Sequence, residues 1–273
     1  MPEPRHTTVQ PPWDDPAFQG ARWVVEVLRE AGNDAWIVGG AVRDLIMGLR
    51  PVDFDIATSA RPEAVMALFR RTVPVGVQFG VVRVLWKDME YEVATFRSDH
   101  GYSDGRRPDA VVFTDLARDV GRRDFTMNGL ILDPETGDVT DLVGGLEDIE
   151  AGLIRAIGVA DRRFEEDRLR PLRAIRFAAQ TGFEIEKNTL EAISDSAPGT
   201  DAVSSERVRD ELSKMLASNR PGKGLCLAES TGVLPIILPE LAVTDCKHLA
   251  ATLDRLAKSP LEVLWAALFV QNG

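Results

Sequence analysis

Residues 35–58 read AWIVGGAVRDLIMGLRPVDFDIAT, and this segment sets the architecture of the chain. Its four leading apolar residues predict a short buried strand, and the pair Gly39-Gly40 that follows predicts a tight turn. A helix is expected from Ala41 to Met47 and a second strand over Asp53 to Thr58. The segment therefore predicts a strand, a turn, a helix and a second strand in close succession.

The second strand carries a pair of carboxylates. Side chains two residues apart in a strand point to the same face, so Asp53 and Asp55 project together while Phe54 packs the other way. Adjacent carboxylates repel unless they share a cation, and Mg²⁺ prefers oxygen ligands that include substrate phosphates. Because a D-x-D pattern alone more often marks a solvated strand face, the pair indicates a magnesium site only together with other motifs.

The glycine turn is a candidate phosphate site. Glycines let backbone N–H groups approach a phosphate, and the N-terminus of a helix favours negative charge. Arg43, one turn into the helix, could hold a triphosphate through charge-assisted hydrogen bonds. The alternative is an ordinary turn with a surface arginine, but the carboxylate pair on the next strand favours a nucleotide site.

Composition argues against nucleic acid as a partner. The chain has 273 residues and a formal net charge of −11, so RNA contacts would have to come from local basic segments, best represented by residues 162–176 and 207–223. No apolar run reaches the roughly 18–20 residues of a membrane helix, and no signal peptide is evident. Cys226 and Cys246 fit neither a metal-binding nor a disulfide pattern. We therefore expect a cytoplasmic protein without a membrane partner.

Further along, strand patterns give way to helices. Residues 80–86 and 89–96 predict a hairpin, and the Gly-, Asp- and Arg-rich stretch from Ser98 to Asp109 predicts a mobile loop. After Asp161 only helical patterns follow. We expect an α+β fold with a mixed or antiparallel sheet, in which a disordered leader (1–18) precedes a mixed α/β domain to about residue 155 and an all-helical part follows.

Four segments, taken in this order, resemble one known family. They are Gly39 to Asp44 (GGAVRD), Asp53 to Asp55 (DFD), Arg122 to Asn128 (RRDFTMN), and Glu166 to Arg170 (EDRLR) with Arg173 and Arg176. Together they are similar to the class II tRNA nucleotidyltransferases, or CCA-adding enzymes, and to the bacterial poly(A) polymerases of the polymerase-β-type superfamily. The resemblance covers roughly residues 30–245. It implies a nucleotidyltransferase head domain (19–155), an all-helical neck (156–230) and a partial, truncated helical body (231–273).

The resemblance also implies roles for matching residues. Asp53 and Asp55 would hold catalytic Mg²⁺, and the loop from Ser98 to Asp109 would help the switch from C to A addition. The remaining positions would bind the nucleotide. Its phosphates would be bound by Gly39, Gly40 and Arg43, and its ribose by Arg123, Asp124 and Asn128. Its base would be recognised by Asp167 and Arg170, and further nucleotide contacts would come from Arg173 and Arg176.

The base-reading pair is reasonable on chemical grounds. Cytosine and adenine both present an amino donor beside a ring-nitrogen acceptor, which suits a carboxylate and a guanidinium, whereas uracil and guanine present the reverse order. Asp167, Arg170, Arg173 and Arg176 are each three residues apart, however, and on a regular helix residues at this spacing spiral around about half of its circumference. These four side chains could therefore all face one nucleotide only if the helix is distorted. A solvated charged helix is the alternative for this segment.

Two further sites stay open. Glu92 is a plausible third catalytic carboxylate or an outward-facing polar residue, and Arg122 to Asp124 is either the ribose site or a surface ion-pair cluster. The expected function is addition of C and A to the tRNA 3′ end from CTP and ATP, with release of pyrophosphate. A CC-adding, A-adding or poly(A)-forming specialist and a non-catalytic RNA-binding remnant are the alternatives, and the sequence does not set the oligomeric state.

Overall fold

The computed structural model describes residues 3–102, 105, 108–241 and 246–270. The chain forms two compact units. The first, called here the head unit, comprises Met1–Gly101 and Pro108–Ala151, and the second, the helical unit, comprises Tyr102–Arg107 and Gly152–Gly273. The expected subdivision into neck and body at residue 230 stays a prediction.

The head unit combines strands and helices. In chain order they are β1 (Arg5–Thr8), α1 (Pro16–Glu30), β2 (Ala35–Val38), α2 (Gly40–Ile46), β3 (Asp55–Thr58), α3 (Pro62–Leu68), β4 (Thr72–Gly76), β5 (Val81–Trp86), β6 (Met89–Thr95), β7 (Arg97–His100), β8 (Ala110–Phe113), α4 (Leu116–Gly121), β9 (Leu130–Leu132), β10 (Asp138–Asp141) and α5 (Gly145–Ala151). Short 3₁₀ turns lie at Val77–Phe79 and Thr126–Asn128.

A mixed sheet forms the centre of this unit, with strand order β1-β10-β9-β2-β3-β6-β5-β4. β3 and β6 run parallel, and the other neighbours are antiparallel. The register of β2 on β3 places Val38 opposite Asp55. The expected α+β class with a mixed sheet is therefore confirmed, and the end of β2 lies beside the start of the carboxylate strand.

Helix α1 covers the apolar face of the sheet. Asp15 caps its N-terminus by accepting a hydrogen bond from the Ala17 amide at 2.8 Å, and Pro16 occupies the first helical turn, where proline is tolerated. Phe18, Val24 and Leu28 are completely buried in the core that the helix forms with the sheet. These side chains fix the strands on which the candidate site is built.

The N-terminal segment differs from the expected disordered leader. Arg5–Thr8 pairs antiparallel with β10, with Arg5 opposite Asp141, and Phe18 belongs to the core. The residues of β1 are exposed and polar, so main-chain hydrogen bonds, rather than an apolar pattern, hold this edge strand.

The segment expected to be a mobile loop from Ser98 also differs in part. Residues 97–100 form β7, which pairs antiparallel with β8, and Arg97 lies opposite Phe113. Residues 103, 104, 106 and 107 of the expected loop lie outside the described residues. The polar composition that predicts a loop is thus compatible with a two-stranded hairpin, here called the β7–β8 hairpin.

The helical unit contains the remaining elements: β11 (Leu153–Ile154), α6 (Ala160–Glu166), α7 (Arg170–Thr181), β12 (Glu184–Ile185), α8 (Lys187–Ser196), α9 (Ser205–Leu216), α10 (Pro221–Ser230), α11 (Leu234–Ile237), α12 (Cys246–Leu256) and α13 (Leu261–Val270). 3₁₀ segments lie at Ala197–Ala202 and Pro239–Leu241. The parallel two-residue pair β11–β12 corrects the expectation of helices alone after Asp161. Within the described ranges no helix is both long enough and apolar enough to span a bilayer.

Candidate active site

The turn between β2 and α2 brings two motifs together. Gly39 has φ 79° and ψ −140°, a backbone conformation that is essentially restricted to glycine. A β-carbon added at Gly39 would lie 3.5 Å from Nη1 of Arg123 and 3.7 Å from Oδ2 of Asp55. The glycine turn, a carboxylate of the DFD motif and the arginine of the RRD motif therefore converge on one point of the head unit.

The carboxylate pair lies at the start of β3. The strand begins at Asp55, so Asp53 precedes it rather than opening it as expected. The predicted alternation nevertheless holds, because Asp53 and Asp55 are exposed while Phe54 and Ile56 are buried. Two exposed carboxylates on one face are a suitable oxygen donor set for Mg²⁺, whose other ligands can come from substrate phosphates and water.

Glu92 lies close to this pair along the sheet. The parallel register places Ile56 opposite Val93, so Glu92 is the neighbour of Asp55 on β6, and its side chain is exposed. Among the described residues, however, no group of three or more Asp, Glu, His or Cys side chains is arranged to hold a metal ion. The geometry thus leaves both interpretations of Glu92 open.

Arg43 connects the glycine turn to the RRDFTMN segment. Its Nη1 donates to Oδ1 of Asn128 at 2.9 Å, and its Nη2 forms an ion pair with Asp44 at 2.6 Å. Asn128 in turn donates through Nδ2 to Oδ1 of Asp124 at 3.1 Å. Asn128 and Asp124 are buried, so their hydrogen bonds hold the Arg43 side chain in one orientation.

Arg123 is held by a residue that the sequence did not single out. Asp119, on α4, is almost completely buried and accepts from Nη2 of Arg123 at 3.2 Å and from Nη2 of Arg122 at 2.8 Å. Burial alone would raise the pKa of Asp119, but the charges of Arg122 and Arg123 outweigh it and hold the pKa below its ordinary value. The i,i+3 and i,i+4 spacing of these residues is the sequence signal that could have identified the cluster.

The base-reading segment is not one continuous helix. Helix α6 ends at Glu166, and Asp167 has extended backbone angles of φ −139° and ψ 105° before α7 begins at Arg170. The regular helix on which these residues would spiral is therefore interrupted: Asp167 lies between the two helices, whereas Arg170, Arg173 and Arg176 lie on α7.

Asp167 and Arg170 each have defined partners in the helical unit. Both carboxylate oxygens of Asp167 accept from Nη2 of Arg207, at 3.1 and 2.8 Å, and Oδ1 also accepts from the Leu169 amide at 3.1 Å. Nη1 of Arg170 donates to Oε2 of Glu166 at 2.7 Å. From the sequence, Arg207 was expected only as part of a basic segment that binds RNA. Its contact with Asp167 was not predicted, because the two residues are 40 positions apart in the chain.

Arg173 and Arg176 lie against α9. Arg176 is buried, donates to Glu211 and to Oε1 of Gln180 at 2.6 Å, and stacks over the ring of Phe177 at 3.7 Å. Nη1 of Arg173 lies 3.9 Å from Glu211, and its side chain is one-third exposed. These contacts exclude a solvated charged helix and give Arg176 a packing role between α7 and α9.

Comparison with known proteins agrees with these motifs. Residues 35–155 match the model of the poly(A) polymerase head domain, and residues 182–244 match the probable RNA- and SrmB-binding site of polymerase A. The CCA-adding enzyme of Lactiplantibacillus plantarum is 48% identical over 209 residues, which are 76% of this chain and 51% of that protein. The CCA-adding enzyme of Leuconostoc mesenteroides is 43% identical over 250 residues, which are 91% of this chain and 62% of that protein.

A solved structure extends the similarity to the fold. The crystal structure of the Bacillus stearothermophilus CCA-adding enzyme in complex with CTP has a TM-score of 0.82 and 37% identity, covering 94% of this chain and 64% of that one. The chain thus spans between about half and two-thirds of the length of the relatives that it matches. On the four motifs, the matched head domain and these relatives, the chain belongs to the family of class II CCA-adding enzymes.

Proposed function

We propose that this chain adds C and A nucleotides to the 3′ end of tRNA, using CTP and ATP and releasing pyrophosphate. The observation that carries the proposal is the convergence of Gly39, Asp55 and Arg123 within the head unit. The relatives reported above are CCA-adding enzymes, and one of them was solved with CTP. We place the activity in the cytoplasm, where tRNA is processed.

The head unit provides the groups for phosphoryl chemistry. Asp53 and Asp55 would hold Mg²⁺, which when bound would activate the attacking 3′-hydroxyl and stabilise the pyrophosphate that leaves. Arg43 and the amides after Gly39 and Gly40 would bind the triphosphate, and the network through Asn128, which orients the Arg43 guanidinium, supports this assignment. Because that orientation exists before the nucleotide binds, little ordering is needed on binding.

Ribose recognition is assigned to Arg123 with its supporting polar neighbours. Nε of Arg123 is buried and has no hydrogen-bond partner in the described part of the chain. Its Nη1 faces the glycine turn, 3.5 Å from the position of a β-carbon on Gly39, and is the donor that we assign to the nucleotide. The hydrogen bond from Asn128 to Asp124 stabilises the RRDFTMN segment that carries Arg123.

Base selection is assigned to Asp167 and Arg170 in the helical unit. The Asp167 carboxylate can accept a hydrogen bond from the exocyclic amino group of cytosine or adenine, and Arg170 can donate to the neighbouring ring nitrogen. Uracil and guanine would place donors against the guanidinium and acceptors against the carboxylate, and such buried mismatches discriminate strongly. The pair thus selects CTP and ATP without a nucleic-acid template. Arg173, one turn along α7 and one-third exposed, would add a further nucleotide contact.

RNA binding is assigned to local basic segments, since the chain as a whole is acidic. Residues 162–176 and 207–223 contribute arginines and lysines to the helical unit, although several of them, such as Arg207, already pair with acidic residues. Contacts of this kind to phosphates should weaken as the salt concentration rises.

The proposal is tested by neutralising the carboxylates one at a time. Asp53→Asn and Asp55→Asn should each lower the incorporation of labelled CTP into tRNA lacking its 3′ end by at least about 10²-fold, because metal-assisted charge stabilisation is worth several kcal/mol. Binding of the tRNA, measured by filter retention, should stay close to that of the wild type. Asp88→Asn, at an exposed position in the β5–β6 turn, is the matched control. Full activity in both site variants would refute the assignment.

A further inference from the structure

A buried cluster of charged residues lies beside the candidate site in the head unit. It consists of Arg97 and Asp99 on β7, Asp119 at the end of α4, and Arg122 and Arg123 immediately after that helix. The side chains of Asp99 and Asp119 are 6% and 1% exposed, so both carboxylates are shielded from water. With three arginines and two aspartates, the cluster has one excess positive charge.

Asp119 is the centre of this cluster, and its two oxygens face different partners. Oδ1 accepts from the Arg97 amide at 3.2 Å and from Nε and Nη2 of Arg122 at 3.0 and 2.8 Å. Oδ2 accepts from Nη2 of Arg123 at 3.2 Å. A single carboxylate therefore binds the main chain of the β7–β8 hairpin on one side and the site arginine on the other.

Arg123 is the residue that this arrangement directs into the site. Its Nη2 is bonded to Asp119, while its Nη1 faces the glycine turn, 3.5 Å from the position of a β-carbon on Gly39. Its Nε is the buried donor that has no partner among the described residues. The Asp119 bond thus fixes Nη2 of the guanidinium while Nη1 faces the glycine turn.

Asp99 provides an internal comparison within the same cluster. It accepts from Nη1 of Arg122 at 3.4 Å and forms an ion pair with Arg97 at 2.9 Å. Neither of these contacts involves Arg123. A loss of charge at Asp99 therefore perturbs the cluster and the hairpin without removing the bond that holds Arg123.

We propose that Asp119 is a positioning residue for ribose selection, which holds Arg123 in the orientation that distinguishes a ribonucleotide from a deoxyribonucleotide and ties that orientation to the β7–β8 hairpin. The proposal rests on the proposed function, because it assumes that Arg123 reads the ribose. Without Asp119, the guanidinium would lose its fixed edge and the 2′-hydroxyl would lose a preorganised donor.

The test compares CTP with dCTP in Asp119→Asn and Asp99→Asn. In Asp119→Asn, the ratio of kcat/KM for CTP to kcat/KM for dCTP should fall about tenfold, because the loss of one hydrogen bond to a charged group changes binding by about this factor. KM for CTP should rise while KM for the tRNA acceptor stays unchanged. Asp99→Asn should keep the wild-type ratio. A purely structural role would instead lower kcat for both nucleotides and leave the ratio and both KM values unchanged.

Binding measurements separate this proposal from the proposed function. The affinities of CTP and dCTP are measured by calorimetry on the same three proteins without RNA. If the wild type prefers CTP in binding but transfers no nucleotide, the proposed function fails, while a loss of that preference in Asp119→Asn still supports the positioning role. An unchanged CTP preference in Asp119→Asn, or an equal loss in Asp99→Asn, would overturn it.

Discussion

Replacement of Arg207 by alanine should impair selection of the nucleobase. Nη2 of Arg207 donates to both carboxylate oxygens of Asp167, at 3.1 and 2.8 Å. In the described part of the chain, the Leu169 amide at 3.1 Å is the other donor bonded to this carboxylate. Arg207→Ala would leave Asp167 held on one oxygen alone, so the carboxylate would rotate away from the position in which it meets an amino group.

The size of the effect follows from the exposure of the pair. The side chains of Arg207 and Asp167 are 22% and 19% exposed, so the pair is partly shielded and worth more than a surface ion pair. Hydrogen bonds to charged groups contribute about 1.5–3 kcal/mol, and residual solvation places this one near the lower end. At 1.4 kcal/mol for each factor of ten, we expect kcat/KM for CTP and ATP to fall about 10- to 30-fold.

The assay measures single-nucleotide incorporation on tRNA that lacks its 3′ end, with CTP and UTP supplied separately. Arg209→Ala is the matched control, because Arg209 lies on the same helix and pairs with Asp210 at 3.1 Å, with both side chains mostly exposed. Arg207→Ala should lose CTP incorporation and discriminate less against UTP, whereas Arg209→Ala should keep the wild-type discrimination between CTP and UTP and the wild-type KM for CTP. If both variants lose the same activity, or if Arg207→Ala keeps kcat/KM for CTP within about twofold of the wild type, the argument from Asp167 geometry is refuted.

Three further predictions concern the glycine turn, the buried aspartate and the cysteines. Gly39→Ala should lose about 1–3 kcal/mol of stability and most of the activity, because φ of 79° strains any other residue, and normal stability in urea unfolding would contradict this. Since the pKa of Asp119 is lowered from 3.8, the stability that it contributes is present above that value and lost as the pH falls through the lower folded-state pKa. Acid unfolding should therefore be steeper for the wild type than for Asp119→Asn, and superimposable acid transitions would argue against a charged Asp119. Burial raises the pKa of Cys246 to about 12, so iodoacetamide at pH 8 should label the partly exposed Cys226 first, as mass spectrometry of peptides can determine.

The central part of the fold could be predicted because its signals are local. The apolar run before Gly39, the glycine pair and the alternation around Phe54 specify a strand, a turn and a second strand within 24 residues, and the structure confirms these elements apart from the start of β3 at Asp55. Two of the four site motifs, the glycine turn and the DFD carboxylates, lie on these elements. For the glycine turn and the carboxylate strand, convergence required only that β2 and β3 pair, which the structure also shows.

The features that the sequence did not predict depend on partners far along the chain. Arg5–Thr8 carries no apolar pattern, so its polar composition indicated disorder, and it is held by main-chain bonds to β10, 130 or more residues later. The break at Asp167 has no glycine or proline at the residue itself, and the bond from Arg207 becomes visible only once α9 packs against this segment. Asp119 is different, because two of its arginine partners follow at i+3 and i+4. It was missed because this spacing is also typical of exposed helix pairs and does not show that the carboxylate is buried.

The most direct test of the central claim is incorporation of each labelled nucleoside triphosphate, supplied singly, into tRNA that lacks its 3′ CCA. The wild-type chain should incorporate CTP into the shortest acceptor and ATP into an acceptor that already ends in CC, and both reactions should require Mg²⁺ and stop in EDTA. UTP and GTP should give little product with either acceptor. Incorporation of UTP as readily as CTP would contradict base selection by Asp167 and Arg170, and no Mg²⁺-dependent incorporation of any nucleotide would contradict a catalytic role for the head unit.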